Sequence, residues 1–358
     1  MDKTGIKDLS RAELEASLKE LGAEPYRLKQ VFGWLYGACV NSFDKMTDLP
    51  RGLREKLKGK FHITQLAVLD SRRSLLDGTT KHLFGLEDGN SIEAVLLPEG
   101  KRNTICLSSQ VGCKFSCIFC ASARLGFVRN LSPGEMLDEA IFIKNANPGA
   151  NITNLVFMGI GESLDNYYNV MKAIRIFNDK DAFNIGARKI TVSTCGVVPG
   201  IEKLAKEGLQ IELSVSLHSS DDNIRSRLLP VNKRYSLKDL ISSCKDYIRA
   251  TNRIITFEYV LIDGINSSKA DAMGLARLLK GMKCKVNAIS YNRVPGYPYR
   301  EPPASAIKIF MKVLKDGGIN ATHRKPKGGE INAGCGQLRI STPHLLKAIF
   351  LKDKPNIA

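Results

Sequence analysis

Val111-Gly112-Cys113-Lys114-Phe115-Ser116-Cys117-Ile118-Phe119-Cys120 sets three cysteines at a Cys-x3-Cys-x2-Cys spacing, with an aromatic residue just before the last. Thiolates so spaced can wrap one corner of a cubane iron–sulfur cluster, with Cys113, Cys117 and Cys120 each ligating one iron. The fourth iron then lacks a protein ligand. An open coordination position is what catalysis needs, whereas a structural site is closed. A zinc site with a distant fourth ligand is the bland alternative. Zinc motifs usually pair two short cysteine or histidine knuckles, and the sequence carries no second pair.

The triplet follows a candidate strand, Thr104–Leu107, and a strand-then-helix rhythm runs outward from it between about 101 and 330. Further candidate strands are Asn154–Met158, Ile190–Ser193, Ile211–Leu217, Ile254–Leu261 and Val286–Ser290. One intervening helix is announced at Ser132-Pro133-Gly134-Glu135, an N-cap, a first-turn proline and a capping-box glutamate together. Six such units predict an α/β fold, either a partial (β/α)6 TIM-like barrel or a doubly wound sheet. The strand ends favour the barrel. They run into the cysteine loop, Gly159–Glu162, Ser193-Thr194, His218-Ser219, Asp263-Gly264 and Asn292, and the carboxyl ends of parallel strands build active sites.

Upstream, residues 1–60 read as helical, with a capping box at Ser10–Glu13 and Leu14, Leu18 and Leu21 on one face. Residues 65–97 alternate like strands, with a turn at Glu87-Asp88-Gly89-Asn90. The expected organisation is a small helical plus β-strand accessory domain over 1–98, a core domain over 99–330 and a C-terminal segment over 331–358.

The 358 residues carry 53 Lys+Arg against 36 Asp+Glu, a formal charge of +17 that favours a polyanionic partner. The first 90 residues hold 15 basic and 13 acidic residues, leaving 38 and 23 for the remainder, so the surplus travels with the cysteine triplet. No apolar run reaches 18 residues and the N-terminus lacks a signal-peptide layout, which predicts a cytoplasmic protein with no membrane span. Nine cysteines, an odd number, argue against a secreted disulfide framework. Cys39, Cys195, Cys244 and Cys284 read as packing residues.

Other constellations gather around the same strand ends. Met158-Gly159-Ile160-Gly161-Glu162-Ser163-Leu164 offers glycines for close backbone approach and a carboxylate able to accept from an ammonium group. Taken alone it is also an ordinary turn. Ser193, Ser216, Leu217 and His218 close the third and fourth strands, and Asn292 follows the sixth. The stretch from Thr322 to Leu338 leads from a basic run to Cys335 between two glycines, reading as a flexible arm whose charged flank suits phosphates.

Nearly the whole sequence, up to Leu338, resembles the RlmN/Cfr family of radical S-adenosylmethionine adenine methyltransferases. The segments that carry the resemblance are Pro25–Gln30, Ser108–Cys113, Gly126–Leu131, Gly196–Pro199, Ser216–His218, Glu258–Leu261 and Gly334–Leu338. The resemblance implies one 4Fe-4S cluster on Cys113, Cys117 and Cys120, with S-adenosylmethionine chelating the open iron and cleaved by one electron to a 5′-deoxyadenosyl radical. It places Gly161 and Glu162 in the methionine-binding element. Ser193, Ser216, Leu217 and His218 then line the cofactor pocket, and Asn292 would hydrogen-bond adenine. It implies that Cys335 accepts a methyl group, that the radical removes a hydrogen from it, and that the methylene radical adds to an adenine. Cys106 would attack the Cys335 sulfur, forming a disulfide and freeing the product, helped by a positive neighbourhood. Glu93 would take the ring proton.

The partners implied are RNA (23S rRNA at the peptidyl-transferase adenosine, and tRNA beside the anticodon) and an electron donor such as flavodoxin or ferredoxin, with the protein acting as a monomer. Two departures stand out. The family's Gly-Glu-Pro-Leu reads Gly161-Glu162-Ser163-Leu164, where C8-methylating relatives carry alanine for the proline. Asp-Ala-Ala-Cys-Gly-Gln-Leu reads Asn332–Leu338 with an added glycine at 334, which is expected to loosen the cysteine arm. Gln110-Val111-Gly112-Cys113 favours methylation at C2. The alternatives are C8 methylation of 23S rRNA, a radical enzyme acting on another substrate, and a non-catalytic RNA-binding protein with a structural metal site.

Overall fold

A computed structural model describes residues 3–294, 296–324 and 327–338, the side chain of Leu125 excepted. The last part of the expected C-terminal segment, 339–358, lies outside the described residues. Ten strands form one sheet: β1 (Ala67–Arg73), β2 (Thr80–Gly85), β3 (Ser91–Glu99), β4 (Arg102–Cys106), β5 (Asn154–Phe157), β6 (Ile190–Thr194), β7 (Glu212–Ser216), β8 (Ile255–Leu261), β9 (Cys284–Ser290) and β10 (Ala321–Arg324). They lie in the sheet in chain order. From β4 onward every pairing is parallel, while β1 to β4 pair antiparallel.

That order decides between the two architectures left open by the rhythm. A doubly wound sheet reverses direction at a switch point. Here each crossover steps the same way, as in a barrel, and the sheet remains an open, partial one. The parallel strands alternate, with one set of apolar side chains packed beneath the helices and the intervening, more polar set (Asn154, Thr191, Ser214, Asn287) facing the barrel interior. Leu155, Ile190, Val192, Leu213, Val215, Phe257 and Val286 are all fully buried.

Among the described residues ten α-helices accompany the sheet: α1 (Arg11–Glu20), α2 (Arg27–Phe32), α3 (Arg51–Lys60), α4 (Pro133–Ala146), α5 (Tyr167–Asn178), α6 (Val198–Leu204), α7 (Asp222–Leu228), α8 (Leu237–Thr251), α9 (Lys269–Leu279) and α10 (Ala304–Asp316). The caps expected at Ser10 and Ser132 both form full capping boxes. Among the described residues no helix is long and apolar enough to cross a membrane.

The helical front section, α1 to α3, docks on α4 and α5 through charge. Lys7 pairs with Asp138 in a buried contact, Asp8 accepts from the Gly134 N–H at 2.8 Å, and Arg11 reaches Asp179 and Asp181, each at 2.8 Å. The strands of the front section behave differently. The expected boundary at 98 falls inside a tight hairpin, with Pro98 opposite Asn103 and Glu99 opposite Arg102, so β1 to β3 extend the core sheet. A Pro-Glu-Gly sequence suits a turn as well as a linker, and here it reverses the chain.

A seventh parallel strand, β10, lies where the sequence suggests only a basic run. It is four residues long, at an edge and partly exposed, so no apolar pattern announces it. After it the chain turns back across the open side of the barrel. This strap, 327–338, is held by Lys327 donating to the Pro98 carbonyl at 3.1 Å, the Gly328 N–H donating to Asp77 at 2.8 Å, and Ser74 bonded to Glu330.

Candidate active site

The cysteine loop springs from a short hairpin, Gln110–Gly112 against Phe127–Asn130. Gly112 has φ +73°, and a Cβ there would stand 1.7 Å from the Gly126 carbonyl oxygen. The Cys113 N–H donates to that same oxygen at 3.0 Å, fixing where the loop departs. Gly112→Ala is expected to force the hairpin apart and cost at least about 3 kcal/mol. A urea midpoint equal to the native value would refute this, and lower iron uptake on reconstitution should accompany the loss.

Further ties hold the loop down. The Ile118 N–H donates to the Leu228 carbonyl at 3.1 Å, and the Tyr297 hydroxyl to the Cys120 carbonyl at 3.1 Å. Cys113, Cys117 and Cys120 all line one cavity at the carboxyl ends of the strands. Burial pushes the Cys113 thiol up to about 12, and burial followed by the proximity of Cys120 and Cys113 pushes Cys117 well above its usual range. Thiols in such surroundings become ligands when a metal supplies the missing positive charge. Among the described residues no three ligating side chains converge on a single ion. A cubane asks for thiols on separate irons around one cavity wall, and this loop fits that requirement.

The same cavity is lined by Gly161, Glu162, Ser193, Ser216, His218, Asn292 and Cys335. Glu162 already serves the backbone. Its carboxylate oxygens accept from the Leu164 N–H at 3.0 Å and the Cys195 N–H at 2.7 Å, and its own N–H donates to Gln110 at 2.9 Å. It therefore splices the ends of β5 and β6, with lone pairs left for a ligand ammonium. Burial raises its pKa, against those hydrogen bonds.

His218 has φ +56° and is buried. Its Nδ1 accepts from the Val260 N–H at 3.0 Å, which places the neutral ring's proton on Nε2, and its edge meets Phe119 of the cysteine loop at 4.9 Å between centroids. Burial pulls its pKa down to about 3. The unfolded chain therefore binds a proton below about 6.5 that the folded chain refuses, so stability is full above that pH and is lost as pH falls toward 3. The buried His82, also lowered, adds to the effect. Between pH 6.5 and 4 His218 should contribute a slope of about 1.4 kcal/mol per pH unit. Urea midpoints at pH 5 and 7 should differ less in His218→Asn than in the native protein.

Leu217 and Gly334 depart from expectation, and Asn292 makes a contact besides the expected one. Leu217 does not line the cavity: strand alternation turns its side chain into the core, and its N–H donates to the Glu258 carbonyl at 3.0 Å. Asn292 lines the cavity and donates one amide N–H to the Cys335 carbonyl at 3.2 Å, so it also anchors the strap. Gly334 does not loosen the arm. Its N–H donates to Gln337 Oε1 at 3.1 Å, and a Cβ there would meet Gln337 at 2.7 Å and Asn292 at 2.8 Å. The arm is packed. Ser163, at the departure from the family pattern, is buried and donates to the Phe157 carbonyl at 3.3 Å.

Cys335, exposed, also lines a second, smaller cavity with Cys106, Val95 and Arg324. Cys106 is the last residue of β4 and sits opposite Val95 on β3. Val95, Cys106, Ile160, Ala333 and Leu338 form a separate apolar cluster that packs the strap onto the sheet. The positive neighbourhood expected for Cys106 is present in Arg324 and Lys327, which line the same cavity. Burial outweighs it and, with Cys335 beside it, pushes the thiol well above its usual range, so Cys106 rests protonated. Glu93, on β3 two residues before Val95, is buried and paired with Lys81 at 3.2 Å.

Several residues of the site carry no sequence signal. Arg324 ends β10 and lines both cavities, where it acts on Cys106, Cys335 and Glu258. Arg225 is fully buried behind the cavity wall. Cys195, read as packing, lines the cavity beside the triplet.

A partial barrel with three cysteines and a Gly-x-Gly-Glu loop at its carboxyl end defines a radical S-adenosylmethionine enzyme, and residues 107–276 match the radical SAM superfamily. Residues 4–63 match the ribosomal RNA large subunit methyltransferase N-terminal domain. The chain is 45% identical over 334 residues to a probable dual-specificity RNA methyltransferase RlmN from Thermoanaerobacter sp. strain X514, covering 93% of this chain and 97% of the relative. A relative of the same name from Bacillus cytotoxicus is 45% identical over 339 residues, 94% of this chain and 93% of the relative. The crystal structure of a radical SAM methyltransferase from Sphaerobacter thermophilus matches with a TM-score of 0.89 at 43% identity, covering 94% of this chain and 99% of that one. The chain belongs to the RlmN family of radical S-adenosylmethionine RNA methyltransferases.

Proposed function

We propose that this chain methylates C2 of an adenosine in 23S rRNA at the peptidyl-transferase centre and of the adenosine beside the anticodon in tRNAs, through a methylated Cys335 and a transient Cys106–Cys335 disulfide. The observation that carries this reading is the position of Cys335. It borders both the cavity of the cluster cysteines and the small cavity that holds Cys106. A single side chain can then be loaded on one side and resolved on the other.

When bound, the cluster and S-adenosylmethionine supply the methyl group and the hydrogen-abstracting radical. Cys113, Cys117 and Cys120 would hold the cluster; Gly161, Glu162, Ser193, Ser216 and His218 would surround the cofactor. Asn292 and Gln337 keep the Cys335 backbone in place, and the apolar cluster around Cys106 excludes water. Glu93 stands on the interior face to receive the ring proton. An adenine must leave its stack to arrive here. A broad opening at the amino ends of the strands, at the other end of the barrel from the cavity of the cluster cysteines, is lined by Arg102, Arg188, Arg253, Lys283, Lys285 and Lys327 together with Glu99, Glu212 and Glu258. The electron comes from a flavodoxin or ferredoxin, and the protein works as a cytoplasmic monomer.

The test is anaerobic reconstitution with S-adenosylmethionine and a reductant, followed by mass spectrometry of adenosines from treated rRNA and tRNA. 2-Methyladenosine in both supports the reading. 8-Methyladenosine replaces it with the C8 reaction, and unmodified RNA with intact cofactor cleavage points to another substrate.

A further inference from the structure

We propose that Lys81 is a positioning residue that fixes the Glu93 carboxylate relative to the strap carrying Cys335. This rests on the reading of Glu93 and Cys335 given above. On the β2–β3 pair, Lys81 lies opposite Val95 and Leu83 opposite Glu93, so all four share one face. Val95 on that face lines the cavity between Cys106 and Cys335. The Lys81 ammonium is 3.2 Å from Glu93 Oε1 and donates to the Asn332 carbonyl at 3.2 Å. Asn332 lies three residues before Cys335. Both side chains are almost wholly buried, at 4% and 2% exposure.

A buried lysine is tolerated only where its charge and donors are satisfied. Lys81 draws one partner from the sheet and the other from the strap, so a single charged head links the proton acceptor to the methyl carrier. The strap has further anchors in Asn292, in Gln337 donating to the Arg293 carbonyl at 2.9 Å, and in the Ala121 N–H donating to the Gly336 carbonyl at 2.8 Å. Loss of Lys81 thus leaves Cys335 in place and removes the contact that ties the carboxylate to the strap. General bases held out of reach typically forfeit 10²–10⁴ in rate, roughly.

The full-length, cluster-loaded protein tests this with Lys81→Met and Lys81→Arg. Three quantities are followed: the methylated fraction of the Cys335 peptide by mass spectrometry, methyladenosine release, and protein–RNA adduct on denaturing gels. Lys81→Met is expected to methylate Cys335 within about twofold of native, yet to release product about 100-fold more slowly while adduct accumulates. Lys81→Arg keeps the charge with a bulkier head, and release should fall only about tenfold. Native release from Lys81→Met would overturn the proposal. So would a parallel fall in Cys335 methylation and product without adduct, which is the mark of a merely structural pair. If Lys81→Met does not fold, Lys81→Arg decides alone, and native release with no adduct overturns the proposal. A native protein that never methylates Cys335 overturns the underlying reading, and the proposal with it.

Discussion

Cys106→Ala is expected to leave RNA covalently tethered to the protein, whereas Cys335→Ala is expected to leave it untouched. The two cysteines share one small cavity but have opposite surroundings. Cys335 is exposed, on a packed strap beside the cavity of the cluster cysteines, while Cys106 is buried at the end of β4 within an apolar cluster. A carrier needs the first setting and a resolving thiol the second, because its thiolate must meet only the sulfur it attacks. Without Cys106 nothing breaks the bond between the Cys335 sulfur and the methylene carbon, and turnover should fall roughly 10⁴-fold with adduct as the stalled species. Without Cys335 no adduct can form at all. Denaturing gels of reacted, nuclease-trimmed protein separate the cases. Equal adduct in both variants, or free methyladenosine from Cys335→Ala, would break the assignment. Burial holds Cys106 protonated while Arg324 pulls the other way, so product release in the native protein should speed up as pH rises. Arg324→Met should make it slower at every pH.

The fold was legible where local chemistry and tertiary context agree. Six parallel strands showed themselves as apolar runs ending in polar residues, and the capping boxes at Ser10 and Ser132 formed as the residues suggest. The cysteine triplet was legible because ligation depends on spacing along the chain. β10 was hidden because a short, basic edge strand has no apolar face to display. The hairpin at 98 was hidden because proline and glycine mark turns and linkers alike. Arg225, Lys81 and Arg324 could not be read at all. Arg225 and Lys81 are buried by partners 7 to 251 positions away, and Arg324 is half-buried only because of where its short strand falls; a charge in a sequence reads by default as solvated. Leu217 shows the converse: motif membership brought it into the candidate site, while the alternation of the strand turned it out.

Arg225→Met is expected to destabilise the protein by about 3–5 kcal/mol and to lower Tm by about 5 °C. The guanidinium is fully buried, and among the described residues no carboxylate pairs with it. It is held by acceptors instead. Nε donates to the Leu217 carbonyl at 3.2 Å, Nη1 to Asn232 Oδ1 at 2.5 Å, and Nη2 to the carbonyls of Cys195 at 2.7 Å and Ser216 at 3.1 Å. Methionine relieves the cost of burying a charge but strands four acceptors, at about 1–3 kcal/mol each. The stranded acceptors outweigh the relief unless the loops open to water. Opening is itself the damage, since those carbonyls end β6 and β7 beside Glu162 and His218. Lysine keeps the charge but lacks the planar fork, so Arg225→Lys should recover only part of the stability. Thermal melts of all three proteins, read with cofactor binding, test this. A native melting temperature in Arg225→Met would show that the ends of β6 and β7 are held by something other than this guanidinium.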